Sequence, residues 1–197
     1  MIQPSAPADE DGAPAGVSVL VVCAANICRS PVGERLLASR LDGSGVTVAS
    51  AGTSALVGRP VDPVMAELLR DAGLPAEPFA ARQVRADLVR SAALVLTMTR
   101  EQRAVVVATA PAAVRRTLLL TEAADLAEAV AAAGWPAEVA PEPAARLAAL
   151  PSLAGRHRVP GGSGDDVPDP YRRPAGTYAE CFALIEGAVD RLVRAVG

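Results

Sequence analysis

A cysteine and an arginine on one short loop are the residues of this chain best suited to chemistry. Cys23 follows the apolar run 17–22, and Arg29 precedes Ser30 and Pro31, which begin an apolar-periodic segment. In a loop between a strand and a helix, backbone N–H groups can point at an anion, and the helix N-terminus adds positive potential. Arg29 can bind two oxygens of a tetrahedral oxyanion. Because such surroundings favour the thiolate form of cysteine, the pattern predicts a nucleophilic thiol in an anion-binding loop.

A thiolate that attacks phosphorus also needs an acid that protonates the leaving oxygen. Asp169 is the best candidate, because it lies between two prolines on a loop that also carries Tyr171. Asn26, in the middle of the first loop, tolerates the left-handed backbone that a tightly curled loop requires. Taken alone, Cys23 could be a small core residue and Asp169 part of an Asp-Pro turn. The strand before the loop and the helix start after it favour phosphoryl transfer to sulfur.

The composition argues against several other classes of protein. The 197 residues include no lysine, one histidine and three cysteines, and the formal net charge is -3. A Walker-type phosphate loop and Schiff-base catalysis need a lysine, and nucleic-acid binding needs a basic surface, so we expect none of these. Three cysteines are too few to indicate a disulfide scaffold. This low count favours a location of the protein in the reducing cytoplasm. We expect no structural metal and no membrane span.

Strand and helix patterns alternate along the chain, which predicts an α/β fold. The predicted strands are 17–22, 46–50, 92–97 and 117–120. The predicted helices are 31–41 (with Ser30 as its N-cap), 62–72, 84–90, 100–109, 122–134, 144–150 and 178–196. This alternation predicts a single doubly wound domain, with a four-stranded parallel sheet flanked by helices and the phosphate-binding loop after strand 1. We expect the domain to cover 17–197, after a disordered tail at 1–16, and to include an extended helical and loop segment at 122–166.

The motifs, taken together, resemble the low-molecular-weight protein-tyrosine phosphatases over most of residues 17–121 and 166–195. The matching motifs, in the family's order, are Cys23-x-x-Asn26-Ile27-Cys28-Arg29-Ser30-Pro31, Ser50-Ala51-Gly52-Thr53 and Asp169-Pro170-Tyr171. The resemblance implies hydrolysis of phosphotyrosine in proteins, and of small aryl phosphates, through a phosphocysteine intermediate. It implies a phosphotyrosine-containing protein as partner, phosphate or another tetrahedral anion in the loop, and no metal or cofactor.

The resemblance also implies a role for each matched residue. Cys23 is expected to attack phosphorus, Arg29 to bind the phosphoryl oxygens, and Asp169 to protonate the leaving group and then activate water. Ser30 is expected to hydrogen-bond the thiolate, and Tyr171 to line the pocket and stack on the substrate ring. The other residues of the phosphate-binding loop and its support are Ala24, Ala25, Asn26, Ile27, Cys28 and Ser50. Of these, Asn26 and Ser50 are expected to hold the shape of the loop.

Other activities of the same fold stay open from the sequence. Relatives that dephosphorylate arginine carry Thr at the position of Ile27, and Ile27 leaves no polar group for a guanidinium. Arsenate reductases need a further cysteine pair, and residues 60–120 contain no cysteine. A non-catalytic phosphate-binding module is a third possibility, which the presence of Cys23, Arg29 and Asp169 argues against. The resemblance also suggests a reversible disulfide between Cys23 and Cys28.

Overall fold

Four parallel strands form the centre of the fold in a computed structural model that describes residues 16–157 and 165–197. The strands are β1 (Val17–Cys23), β2 (Val46–Gly52), β3 (Leu94–Thr97) and β4 (Thr117–Leu119). They lie in the order β2-β1-β3-β4, and each neighbouring pair is parallel. The predicted fold class is therefore confirmed. Strand β2 thus lies on one side of β1 and β3 on the other, so the strand order reverses direction at β1. In parallel sheets, ligands bind at the carboxyl ends of the strands where the order reverses.

Helices cover both faces of the sheet. Within the described residues the helices are α1 (Arg29–Arg40), α2 (Pro63–Asp71), α3 (Ala86–Ser91), α4 (Arg100–Thr109), a 3-10 helix (Pro111–Arg116), α5 (Leu120–Ala133), α6 (Pro143–Leu153) and α7 (Ala175–Val196). None of these helices has the length and apolar character that crossing a bilayer requires. Side chains of a strand alternate between the two faces. Along β1, Val19, Val21 and Cys23 therefore pack in the larger core, whereas Leu20 and Val22 pack in the smaller one.

Several boundaries differ from those predicted. Strands β1 and β2 continue to Cys23 and Gly52, which are paired with each other. The helix predicted from Val84 begins at Ala86. The reason is that Gln83 forms a bridge to Gly52, and Val84 donates its N–H to the Gly52 carbonyl at 2.8 Å. Hydrogen bonds at the end of β2 thus hold this part of the chain extended, and the helix starts later.

Other parts of the predicted organisation stay predictions. The disordered tail predicted at 1–16 concerns residues 1–15, which lie outside the described ranges. The segment predicted at 122–166 contains most of α5 and all of α6, and its residues 158–164 also lie outside those ranges. The 3-10 helix (Pro111–Arg116) is an addition that the sequence pattern does not indicate.

The C-terminal end of α7 is held by two side chains from the α5–α6 region. Trp135 donates its indole N–H to the carbonyl of Ala195 at 3.1 Å, and Arg146 donates Nη1 to the carbonyl of Val196 at 3.3 Å. The Arg146 guanidinium also lies over the Trp135 ring, 5.1 Å from its centroid. These contacts satisfy two of the carbonyl groups that every helix end leaves without an intrahelical partner.

Two leucines of α7 differ in burial, and substituting each of them tests which face of the helix packs in the core. Leu192 is 0% exposed and Leu184 is 51% exposed. We expect Leu192→Ala to lower the free energy of unfolding by about 2–5 kcal/mol, because it leaves a cavity in the core. The matched control, Leu184→Ala, should change it by less than about 0.5 kcal/mol. Urea unfolding followed by circular dichroism measures both, and equal losses would contradict this packing.

Candidate active site

The loop of residues 24–28, called here the β1–α1 loop, curls tightly beside the end of β2. Asn26 has a φ of 55°, the left-handed conformation expected at this position. Gly52 passes so close that a Cβ atom there would collide with the Ala24 carbonyl oxygen and lie 3.0 Å from the Asn26 nitrogen. Because any other residue carries that Cβ atom, glycine is required at position 52 for this loop conformation.

The carbonyl groups of the β1–α1 loop are bound by the segment that follows β2. Four N–H···O bonds of 2.8 to 3.0 Å run from Thr53 to Cys23, from Ser54 to Ala24, from Leu56 to Ala25 and from Asp62 to Ile27. Among the described residues, no backbone carbonyl accepts a hydrogen bond from the N–H groups of 24–28. These N–H groups therefore stay available as donors, which is the arrangement that binding an anion requires.

The thiol of Cys23 lies at the end of a buried network of polar side chains. Its Sγ is 3.0 Å from Ser30 Oγ, and Asn26 donates Nδ2 to Ser30 Oγ and to Ser50 Oγ at 2.9 Å each. The prediction that Ser30 caps α1 is wrong, because Cys28 is the N-cap and Ser30 lies inside the first turn. From that position the hydroxyl of Ser30 faces the thiol instead of a backbone N–H.

Arg29 joins the β1–α1 loop to the candidate acid. Its guanidinium is buried and donates Nη2 to Asp169 Oδ2 at 2.6 Å and Nη1 to the Val167 carbonyl at 3.0 Å. Its Nε is buried and has no hydrogen-bond partner among the described residues. The side chain of Asp169 is 51% exposed. The structure thus brings together two predicted residues that are far apart in the chain, and it leaves the Nε–H of the guanidinium for another acceptor.

The segment 165–171, which carries Asp169, is attached to the carboxyl end of β3. Val167 donates its N–H to the Met98 carbonyl at 2.8 Å, and Asp166 Oδ1 accepts the N–H of Arg100 at 3.0 Å. Asp166 was not among the predicted site residues, and its place beside Asp165 in a polar stretch gives no signal of this contact. These two bonds fasten the segment that carries Asp169 to the end of the sheet.

Tyr171 lies beside the candidate acid, as the sequence predicts. It is half-buried against the core and donates its N–H to Asp169 Oδ1 at 3.1 Å. Arg172 follows with a φ of 61°, and its guanidinium lies 5.1 Å from the centroid of the Tyr171 ring. Tyr178 accepts the N–H of Arg172 with its hydroxyl at 3.2 Å, and burial raises the pKa of that hydroxyl. The contact to a buried side chain holds the strained backbone after Tyr171.

The other two cysteines are buried free thiols. Burial raises the pKa of the Cys28 thiol, and the charge of Asp62 raises it further. Burial likewise raises the pKa of Cys181, on α7, to about 12. Both groups are therefore protonated near neutral pH. The disulfide between Cys23 and Cys28 stays a prediction.

Glu34 and Arg82 also belong to the site, although neither is among the predicted site residues. Ser50 donates its hydroxyl to Glu34 Oε2 at 2.5 Å, and Arg82 donates its N–H to Asn26 Oδ1 at 2.8 Å and Nε to the Ser50 carbonyl at 2.7 Å. Glu34 follows Ser30 by four residues, a spacing that places both on one side of a helix. That spacing is the signal that could have identified Glu34. For Arg82 the signal is the family resemblance, because Ala81-Arg82-Gln83 is a further motif that matches the family.

The geometry places the groups of a phosphoryl-transfer centre around one loop. Residues 23–30 supply a thiol with a hydroxyl neighbour, a set of backbone donors and a buried guanidinium, and residue 169 supplies an exposed carboxylate. A nucleophile, a binder of oxyanions and a proton donor are the three components that cysteine-dependent transfer from a phosphate ester requires.

Comparisons with known proteins agree with this arrangement. Residues 18–135 match the model of the family described as low molecular weight phosphotyrosine protein phosphatase. The chain is 45% identical over 171 residues to the low molecular weight protein-tyrosine-phosphatase Etp of Escherichia coli K12, which covers 87% of this chain and 88% of Etp. The match thus extends over nearly all of both sequences.

Solved structures of similar proteins share the fold. Vibrio vulnificus Wzb in complex with benzylphosphonate is 27% identical, with a TM-score of 0.66 over 91% of this chain and 98% of that one. The tyrosine phosphatase Wzb of Escherichia coli K30 in complex with phosphate is 25% identical, with a TM-score of 0.65 over 91% and 98%. Together with the family match and the identity to Etp, these similarities confirm the resemblance seen in the motifs. The chain belongs to the low-molecular-weight phosphotyrosine protein phosphatase family.

Proposed function

We propose that this protein hydrolyses phosphotyrosine in proteins, and small aryl phosphates, through a phosphocysteine intermediate. The observation that carries the proposal is the convergence of Cys23, Arg29 and Asp169 on one loop with uncommitted backbone donors. Membership of the family supports the reaction type. The benzylphosphonate bound to Vibrio vulnificus Wzb is a phosphonate attached to a benzyl group. Its aromatic ring supports an aryl phosphate as the substrate class.

In the first step, the Cys23 thiolate attacks phosphorus from the side opposite the ester oxygen. The S–P bond forms while the bond from phosphorus to the phenolic oxygen breaks. Before this step Asp169 leaves its ion pair with Arg29 and takes up a proton from solvent, and it then donates that proton to the phenolic oxygen. The backbone N–H groups of 24–28 and the guanidinium of Arg29 bind the phosphoryl oxygens, which carry the negative charge in the transition state. Tyr171 stacks on the departing ring.

In the second step, water attacks the phosphocysteine. Asp169, now ionised, accepts a proton from that water, and the P–S bond breaks to release inorganic phosphate. The electron pair of the broken bond returns to the Cys23 sulfur. The hydroxyl of Ser30, 3.0 Å away, can donate to the thiolate as it leaves.

Two alternatives with the same fold have less support. An arginine phosphatase needs a polar group for the guanidinium, and Ile27 places a buried apolar side chain in the loop. An arsenate reductase must transfer oxidation to further thiols, and the two other cysteines, Cys28 and Cys181, are buried with raised pKa values. Burial and protonation both lower the reactivity of a thiol in such a transfer.

We expect Cys23→Ser to abolish turnover of para-nitrophenyl phosphate, because the hydroxyl of serine is a far weaker nucleophile at this position. Asp169→Ala should lower kcat by about 10²- to 10⁴-fold, since the leaving oxygen departs without a proton. The loss should grow as the leaving group becomes more basic. A series of substituted phenyl phosphates measures this dependence.

The matched control for Asp169 lies in the same segment. Asp165→Ala removes an exposed carboxylate nearby, and its rates should stay close to those of the wild-type protein. A loss that is equal for Asp165→Ala and Asp169→Ala, or one independent of the leaving group, would show that Asp169 is not the acid.

Ile27 tests the choice between phosphotyrosine and phosphoarginine. We expect Ile27→Thr to raise phosphoarginine hydrolysis relative to aryl phosphate hydrolysis, because the hydroxyl supplies a polar contact in a smaller side chain. The control, Ile27→Val, reduces the volume without adding a polar group, and its ratio should stay unchanged. Rates of phosphate release from both substrates give the ratio. An unchanged ratio in Ile27→Thr would contradict this role of residue 27.

A further inference from the structure

An arginine directly after the pocket tyrosine carries a charge that no described carboxylate neutralises. Arg172 follows Tyr171 in the chain and is exposed. We propose that Arg172 is a specificity-determining residue, which binds the carboxylate of an acidic residue that flanks the phosphotyrosine in the protein substrate. The inference rests on the proposed function and adds to it a preference for acidic segments around the phosphotyrosine.

The backbone around Arg172 is held by two hydrogen bonds. Arg172 donates its N–H to the hydroxyl of the buried Tyr178 at 3.2 Å, and Arg173 donates its N–H to the Pro170 carbonyl at 2.9 Å. Residues 170–173 therefore form a closed turn, which begins one residue after the candidate acid. The side chain of Arg172 thus starts from a fixed point beside the site.

The backbone conformation of Arg172 is one that glycine adopts more easily. Its φ is 61°, and among the described residues only Asn26 shares a positive φ without being glycine. A Cβ atom is disfavoured in this region, and arginine lacks the short polar side chain with which asparagine compensates. Backbone strain of this kind is common where a side chain serves a binding or catalytic site.

The guanidinium of Arg172 lies over the aromatic side chain that is expected to contact the substrate ring. Its Cζ is 5.1 Å from the centroid of the Tyr171 ring. The ring attracts a cation over its face, so this contact keeps the guanidinium beside Tyr171 and leaves the opposite face for the substrate ring. Consecutive Cα atoms of a peptide are about 3.8 Å apart. Side chains close to the phosphotyrosine in sequence can therefore reach the guanidinium.

The charges around the turn leave Arg172 available for a group of the substrate. Asp169, the closest carboxylate in the sequence, is paired with Arg29. Among the residues that the structure describes, no carboxylate forms an ion pair with Arg172 or Arg173. An unpaired guanidinium presents a planar fork of N–H donors, which matches the two oxygens of a carboxylate. An acidic side chain is therefore the group that this position fits.

The experiment compares two phosphotyrosine peptides, which carry either glutamate or glutamine on both sides of the phosphotyrosine. Their affinities are measured by fluorescence anisotropy with the full-length Cys23→Ser variant, in which the attacking thiol is absent. We expect the glutamate peptide to bind about 3- to 5-fold more tightly at low salt, and the preference to shrink as added salt screens the charges. When Arg172→Gln is added to Cys23→Ser, both peptides should bind about equally, because the guanidinium is gone.

Two matched variants, each also carrying Cys23→Ser, show which arginine is responsible. Arg173→Gln removes the neighbouring charge of the same turn, and it should lower the preference less than Arg172→Gln does, because Arg173 has no contact that holds its guanidinium at Tyr171. Arg115→Gln removes an exposed guanidinium from the 3-10 helix that precedes β4, at the opposite edge of the sheet from the site. Its preference should stay unchanged.

Several outcomes would overturn the inference. They are equal affinity of the two peptides for the Cys23→Ser protein, no binding of either peptide, a preference that survives Arg172→Gln, or an equal loss in Arg173→Gln or Arg115→Gln. Because these measurements follow binding alone, the proposed function is judged separately, by phosphate release from the same peptides with the wild-type protein.

Discussion

The site depends on one constraint, which is that the β1–α1 loop must keep its backbone N–H groups uncommitted while its carbonyls are satisfied. Buried backbone groups need partners, so a loop of this kind is costly unless other segments bind its oxygens. Four N–H groups of the segment 53–62 do so. They can reach because Gly52, at the end of β2, carries no Cβ atom that would collide with the loop. The order of strands places β2 directly beside β1, so the topology supplies the partner segment.

The second half of the site comes from the other neighbour of β1. Strand β3 ends beside the same loop, and the Met98 carbonyl after it binds Val167. This contact brings a late segment of the chain, with Asp169, to the guanidinium of Arg29. The segment after β2 thus supports the loop, and the end of β3 positions the segment that carries the candidate acid. The position of the site at the carboxyl ends of the strands is a property of the sheet.

The sequence indicates the local parts of this arrangement and misses those that depend on tertiary contacts. Cys23, Asn26 and Arg29 could be identified because a buried strand, a loop and a helix start follow each other in one short stretch. Asp169 could be proposed as the acid from its place between two prolines, but its pairing with Arg29 could not be predicted, since no periodic pattern relates the two residues. The Ser30-Pro31 pair led to a predicted helix start at Pro31, whereas α1 begins at Arg29. The capping preference of such a pair takes no account of tertiary contacts. In the folded loop, Cys28 takes the cap and Ser30 turns to the thiol.

The fastening of α7 by Trp135 has a spectroscopic consequence. The chain contains a single tryptophan, and its indole is bound to the carbonyl of Ala195 beneath the guanidinium of Arg146. Its fluorescence therefore reports the attachment of the C-terminal turn to the α5–α6 region. The protein thus carries an intrinsic fluorescent probe at the C-terminal end of α7. During denaturation, the denaturant concentration at which the emission changes is the one at which this end of the helix detaches.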